Sequence, residues 1–339
     1  MTHEPKITPL AINFNENWNH CKLGMDYSKP NWDDPRIRTD SQMAVERTLH
    51  QRFGDVGIGN PDPAPKPNIM AYGHRFFAAL FGCEIVYFAD QAPCALPLRG
   101  GYDLLRELEV PDLTNSAIIE RAWTEAELLK REYGLCLGDI NTGSPLNNAV
   151  TVFNELFLTA LYEEPALAQH VLRVFMETQI AVYQKFQHEI DPEHYPLEAY
   201  NQGYGNGHAV MVSPEQYKEV ILPVDKEYRA RSNHFGLHHC GVFDRYAELY
   251  TELHPDSLDV GAGSDYAYMR SVFPDTPTSL IIDPAHVEGL DRDALDRHIA
   301  GMVEGAAPYG LITSLWTSDF SAGMTDENIR DLATVHMRI

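Results

Sequence analysis

The sequence predicts an α/β protein: a single (β/α)8 barrel of the TIM type over residues 66–339, with an irregular N-terminal extension, residues 1–65, packed on it. Three observations carry this. In the C-terminal half, short apolar runs alternate with amphipathic stretches in four successive strand–helix units, a pattern that calls for parallel strands joined by crossover helices. The predicted strands begin at residues 235, 257, 278 and 309, so they are 22, 21 and 31 residues apart, near the length of one βα unit. The chain has 339 residues, enough for one barrel. A doubly wound open sheet is the alternative. Against it, no Gly-x-Gly-x-x-Gly follows a strand and opens a helix, and no P-loop is present. The glycine-rich Tyr204-Gly205-Asn206-Gly207 has the wrong spacing for a dinucleotide site.

The elements follow in order. Residues 13–35 mix Asn, Trp, Tyr, Pro and Asp without periodicity and read as a loop. Two roles are open to it: a strap over the surface, which is favoured, or a lid that offers Trp18, Tyr27 and Trp32 to a ligand. A helix is expected over 36–52, then an extended linker over 60–68, where four prolines fall in NPDPAPKPN. Residues 83–89 (CEIVYFA) read as a buried strand. A helix over 117–133 stops at Gly134. Residues 135–140 read as a strand that ends in Asn141-Thr142. Helices over 148–162 and 165–188 follow, then a short strand leading into 201–208. Ser213-Pro214-Glu215-Gln216 opens a helix to about 231, with serine as cap, proline in the first turn and Gln216 completing a capping box. The four regular units are strand 235–239 with helix 243–253, strand 257–260 with helix 266–272, strand 278–282 with helix 291–304, and strand 309–314 with helix 326–335. No short-period repeat or low-complexity tract interrupts them.

Composition narrows the function. Hydrophobic residues make up 44% and charged residues 22%, ordinary for a globular chain with a sizeable core. With 26 Lys+Arg against 49 Asp+Glu, the formal charge is −23. A phosphate backbone or an anionic lipid surface needs basic side chains, so neither nucleic acid nor membrane is an expected partner. An acidic face for a basic partner protein stays open. No apolar run reaches the ~20 residues that span a bilayer, and the N-terminus carries no secretory pattern. The five cysteines (Cys21, Cys83, Cys94, Cys136 and Cys240) are scattered and odd in number, which points to a reducing, cytoplasmic setting.

A barrel builds its active site at the C-terminal ends of its strands. Those ends hold Asn141, Asn201 and Gln202, then His238-His239-Cys240, then Asp259, then Asp283 with His286, and finally the run from Thr313 through Trp316 to Asp319. Polar groups there cost stability unless used or satisfied. His238 and Cys240 stand two apart, so on a strand both point to one side. An imidazole beside a thiolate suits Zn²⁺, which favours tetrahedral N/S ligation. A buried cysteine beside a hydrogen-bonded histidine is the ordinary alternative and the commoner origin of such spacing. Asp259 and Asp283 are candidate catalytic acids with His238; each could instead cap a helix or close a turn. Trp316 is either a packing anchor or a stacking surface for a planar ligand. Asn141, Asn201, Gln202, Tyr204, Asn206 and Asp319 are candidate substrate contacts. His208 and His254 have no spacing partner.

Four stretches together resemble the uroporphyrinogen decarboxylase superfamily: SPEQYKEVILP (213–223), LHHCG (237–241), DVGAGSDYAYMRSVFPD (259–275) and IIDPAHV (281–287). The likeness covers about residues 135–339, and the order of the four stretches carries it. It implies a (β/α)8 barrel. One branch decarboxylates porphyrinogens through an arginine-rich N-terminal motif, which Arg36, Arg38 and Arg47 do not reproduce. The other branch holds methyltransferases that work with a corrinoid carried by a partner protein. Some of these bind zinc through H-x-C and a later cysteine. His238 and Cys240 match the first two ligands; no cysteine follows Cys240, so either Asp283 or Asp319 supplies an oxygen in place of the missing sulfur or the site holds no metal. The resemblance therefore implies an enzyme that moves a methyl group between a corrinoid protein (methylcobalamin) and a small acceptor or donor such as tetrahydrofolate, a thiol or a methylated compound. The alternatives are a lyase of the uroporphyrinogen decarboxylase type and a non-catalytic ligand-binding barrel.

Overall fold

A computed structural model describes residues 10–70, 72–306 and 312–336. The chain folds as two compact units. One joins the described residues of Met1–Asp26, Gln42–Ala64 and Gly236–Ile339; the other joins Tyr27–Ser41 and Pro65–Phe235.

The first unit is built on four neighbouring parallel strands in chain order: β4 (His234–His239), β5 (Ser257–Val260), β6 (Thr278–Ile282) and β7 (Ile312–Thr317). Helices Tyr266–Val272, Arg292–Ala306 and Asp326–His336 follow three of these strands, so the repeating unit read from the sequence is present. Side chains alternate across the strands with period two. Leu258, Val260, Leu280, Ile282 and Leu315 are all at most 2% exposed and form the buried face. The other face carries His238, Asp259, Ser279, Ser314 and Trp316, each half-exposed. A register shift between Thr278 and Ser279 sets Ser314 opposite Ser279 and Trp316 opposite Ile281. The Ser314 hydroxyl donates to Ser279 Oγ at 2.8 Å.

The N-terminal residues close the outer edge of β7. Ala11 N–H donates to the Leu315 carbonyl and Thr317 N–H to the Ala11 carbonyl, both at 3.0 Å. The next helix, Glu16–Leu23, starts under an Asn15 cap and buries Trp18 completely. Trp18 packs with Leu49, Phe53, Leu280, Leu315 and Phe320. The loop expected over residues 13–35 is instead helical at Glu16–Leu23 and Lys29–Asp33, and Trp18 is core rather than lid.

The second unit is helical over most of its length, with helices Ala117–Tyr133, Pro145–Phe153, Glu155–Glu163 and Pro165–Val182. Gly134 ends the first at φ 79°, as its position predicts. Trp32 is also buried, its indole N–H donating to the Met70 carbonyl at 2.7 Å.

Here the sequence reading needs correction. The run 83–89 forms only β1 (Glu84–Val86), and it pairs antiparallel with β2 (Cys94–Leu96) instead of joining a parallel sheet. Residues 135–140 form no strand; Leu137 makes one isolated bridge to Asn68. The reason is that side chains take the backbone groups a ladder would use. The Gln187 amide donates to the Gly138 carbonyl at 2.8 Å, and Asp191 accepts from the Gly138 N–H at 3.2 Å. The helix expected over 148–162 is two helices, broken at Asn154 with φ 47°. The short strand expected ahead of residue 201 is found later, as β3 (Asn201–Gly205), so Asn201 and Gln202 stand at its start and not at its C-terminal end. Among the described residues, then, the regular strand–helix series begins late in the chain, and the parallel strands that carry it are β4 to β7. The expected strand start at Tyr309 lies outside the described residues.

Candidate active site

In the first unit, parallel pairing brings the candidates together. His238 on β4 is the register partner of Asp259 on β5. Partners on adjacent strands share a face, and His238 Nδ1 lies 3.4 Å from Asp259 Oδ2. Two residues beyond His238, on the same side, Cys240 places Sγ 2.8 Å from His238 Nε2. The imidazole thus bridges a thiol and a carboxylate through its two nitrogens. Trp316 on β7 tilts toward the same ring, with centroids 5.6 Å apart. The side chains of His238 and Asp259 are 25% and 38% exposed, and Cys240 is exposed, so a reactant can reach all three.

The electrostatics follow from that geometry. Burial pulls the His238 imidazole down, but the hydrogen bonds and charges of Asp259 and Cys240 outweigh it and raise it to about 9. The neighbouring His239 points to the other face. It stacks on Phe243 at 5.2 Å and meets the Tyr250 hydroxyl at 3.1 Å. Burial and the charges of His238 and Arg245 push it down to about 4. Two adjacent histidines are thus separated by strand alternation into a charged, accessible ring and a neutral core ring.

The loop behind the thiol depends on a residue that sequence reading passed over. A Cβ on Gly261 would lie 2.1 Å from the Gly241 carbonyl oxygen and 2.2 Å from that of His239. Only glycine allows the segment after β5 to pass so close to the Cys240 turn.

Asp283 and Asp319 do not join the cluster. Asp283 caps helix Pro284–Gly289, accepting from the Ala285 N–H at 2.8 Å. It lines a separate groove of about 520 Å³ with Asp265, His286 and His298. Asp319 is exposed. Among the described residues, no three of His, Cys, Asp and Glu are gathered so as to hold a metal ion.

The amide-rich candidates lie in the second unit and form a different arrangement. Tyr204 and Asn206 are fully buried. The Tyr204 and Tyr217 hydroxyls both donate to Asp225, which burial raises to about 7 against those two bonds. Asn206 donates to the Tyr217 hydroxyl at 3.2 Å and accepts from Ser144 Oγ at 3.0 Å. Ser144 in turn caps helix Pro145–Phe153. Tyr204 and Asn206 therefore serve an internal network instead of facing solvent. Asn141 and Asn201 are exposed; the Gln202 side chain lies outside the described residues.

Sequence reading missed Asp225 and Tyr217. A signal existed: Asp225 sits on the face of helix Leu222–Arg229 that also carries Leu222 and Tyr228, both buried. Tyr217 opens a π-helical turn, Tyr217–Ile221. Eight α-helical steps of about 100° overshoot two turns by about 80°. The wider π turn removes an offset of that size and lets Tyr217 meet Asp225.

No protein-family model matches the chain, and no curated protein matches it in sequence. Among solved structures, a methyltransferase from Methanosarcina mazei has a similar fold, with a TM-score of 0.61 and 14% identity over 100% of this chain and 95% of that one. A likeness at that identity speaks for the fold.

Proposed function

We propose that this chain is a methyltransferase that moves a methyl group between a corrinoid carried by a partner protein and a small acceptor or donor, such as tetrahydrofolate, a thiol or a methylated compound. The observation that carries the reading is the bridging of Cys240 and Asp259 by His238 at the C-terminal ends of adjacent parallel strands. Enzymes of the barrel class place chemistry at that end. On this reading β4–β7 and their helices are the regular part of a (β/α)8-type barrel. The fold likeness to a methyltransferase supports it, and so does the order of the four sequence stretches.

The methyl–cobalt bond is the partner's contribution and presents an electrophilic methyl group. This chain's part is positioning and proton handling. His238, held between Asp259 and Cys240, can give a proton to the leaving atom of a methylated donor. In the other direction its positive ring stabilises the thiolate that a thiol acceptor presents. Trp316, tilted over the same ring, offers a face for a planar acceptor.

Zinc fits this donor set poorly. Two tetrahedral ligands at about 2.3 Å (sulfur) and 2.0–2.1 Å (nitrogen) from zinc stand about 3.5 Å apart, whereas Sγ and Nε2 are 2.8 Å apart, at hydrogen-bond distance. Neither expected oxygen ligand joins them, and no step is derived through a metal.

Mixing the purified chain with methylcobalamin and each acceptor class, and with cob(I)alamin and methylated donors, tests the proposal. A change in the cobalamin absorbance with one class is expected. Unchanged spectra with all of them would overturn it.

A further inference from the structure

We infer that Cys240 is itself a nucleophile, the sulfur of a metal-free Cys–His–Asp triad that attacks soft alkyl carbon while His238, oriented by Asp259, takes the thiol proton. This goes beyond the methyl-transfer reading and stands without it. The three tests of such a triad are geometric. The nucleophile must touch the base, and Sγ is 2.8 Å from Nε2. A third group must orient the base from its other nitrogen, and Asp259 lies 3.4 Å from Nδ1. The nucleophile must be open to a reactant, and Cys240 is exposed.

The step balances. An electron pair on Sγ forms the S–C bond. The bond from that carbon to its leaving group breaks, and its pair departs with the leaving group, a halide or another weak base. The thiol proton rests on His238 Nε2 before the attack, and the imidazolium charge lies against Asp259.

The other cysteines set the contrast. Cys83 and Cys136 are buried, and burial pushes their thiols up to about 11 and about 12. Cys94 is half-buried and donates weakly to the Ala92 carbonyl at 3.8 Å. Cys21 is exposed on helix Glu16–Leu23 and, among the described residues, has no histidine or carboxylate bonded to it. It is an internal reference that is exposed like Cys240.

The test treats the full chain with limiting iodoacetamide at pH 7, with and without a chelator, and maps the adducts by mass spectrometry. Cys240 is expected to react at least about tenfold faster than Cys21, within what a positioned base supplies, and the chelator should leave that ratio unchanged. In His238→Asn the ratio should fall close to one, and in Asp259→Asn to an intermediate value. The ratio is read within one molecule, so the wild-type result decides even where a variant folds poorly. Equal labelling of the two thiols would overturn the inference, as would labelling of Cys240 only after chelation, which would mean that a metal holds the sulfur.

Discussion

His238 and Asp259 face each other because they are register partners on adjacent parallel strands, and the ring nitrogen stands 3.4 Å from the carboxylate. The pairing predicts the ring's titration. Its folded value is raised from 6.5 to about 9. The stabilisation it gives is therefore complete below about pH 6.5 and lost as pH rises through about 9. A histidine NMR titration should find this midpoint near 9, and Asp259→Asn should lower it. A wild-type midpoint at the ordinary imidazole value would mean that the pair does not form in solution.

Asp225 predicts a second pH dependence, in the other unit. Its folded value is raised to about 7 by complete burial. The folded state thus holds a proton that the unfolded chain has released, and stability falls as pH rises from about 4 to about 7. One such proton gives a slope of at most about 1.4 kcal/mol per pH unit. Denaturant melts of the wild type and of Asp225→Asn should diverge over that window, with the variant flatter. Parallel curves would remove the buried acid from the account.

Gly261→Ala tests the Cys240 turn without touching a reactive group. The added carbon would meet the Gly241 and His239 carbonyl oxygens at 2.1 and 2.2 Å, which backbone cannot accommodate in place. Cys240 should move away from His238, and its labelling advantage over Cys21 should shrink severalfold while helical circular dichroism persists. An unchanged labelling ratio would contradict the close approach.

Trp18→Ala should cost about 3–5 kcal/mol, the usual range for emptying a large buried site. Trp18→Phe should cost less, because among the described residues the buried indole N–H has no hydrogen-bond partner for the substitution to leave unpaired. Chemical denaturation measures both. Equal losses for the two variants would mean that volume does not decide this site.

The regular part of the chain was legible because its signals are local. Helices Ala117–Tyr133 and Tyr266–Val272 end where the sequence says, as do strands Ser257–Val260 and Thr278–Ile282. His238 with Cys240 was legible from strand alternation alone. Residues 135–140 were not, since Gln187 and Asp191, some 50 positions later, decide where the backbone of Gly138 bonds. Tyr204 and Asn206 suggest substrate contacts in sequence because amides and a phenol suit a polar ring, and only the fold shows that they are buried, with Tyr204 bonded to Asp225 and Asn206 to Tyr217. Gly261 was hidden for the same reason: the atoms that exclude a side chain there belong to another strand end.

The most direct measurement is single-turnover methyl transfer between methylcobalamin and the acceptor class that responds, followed at the cobalamin absorbance for the wild type, His238→Ala and Cys240→Ser. The account predicts transfer by the wild type and a loss of about a hundredfold or more in His238→Ala, with Cys240→Ser also impaired. Wild-type rates in both variants would contradict it.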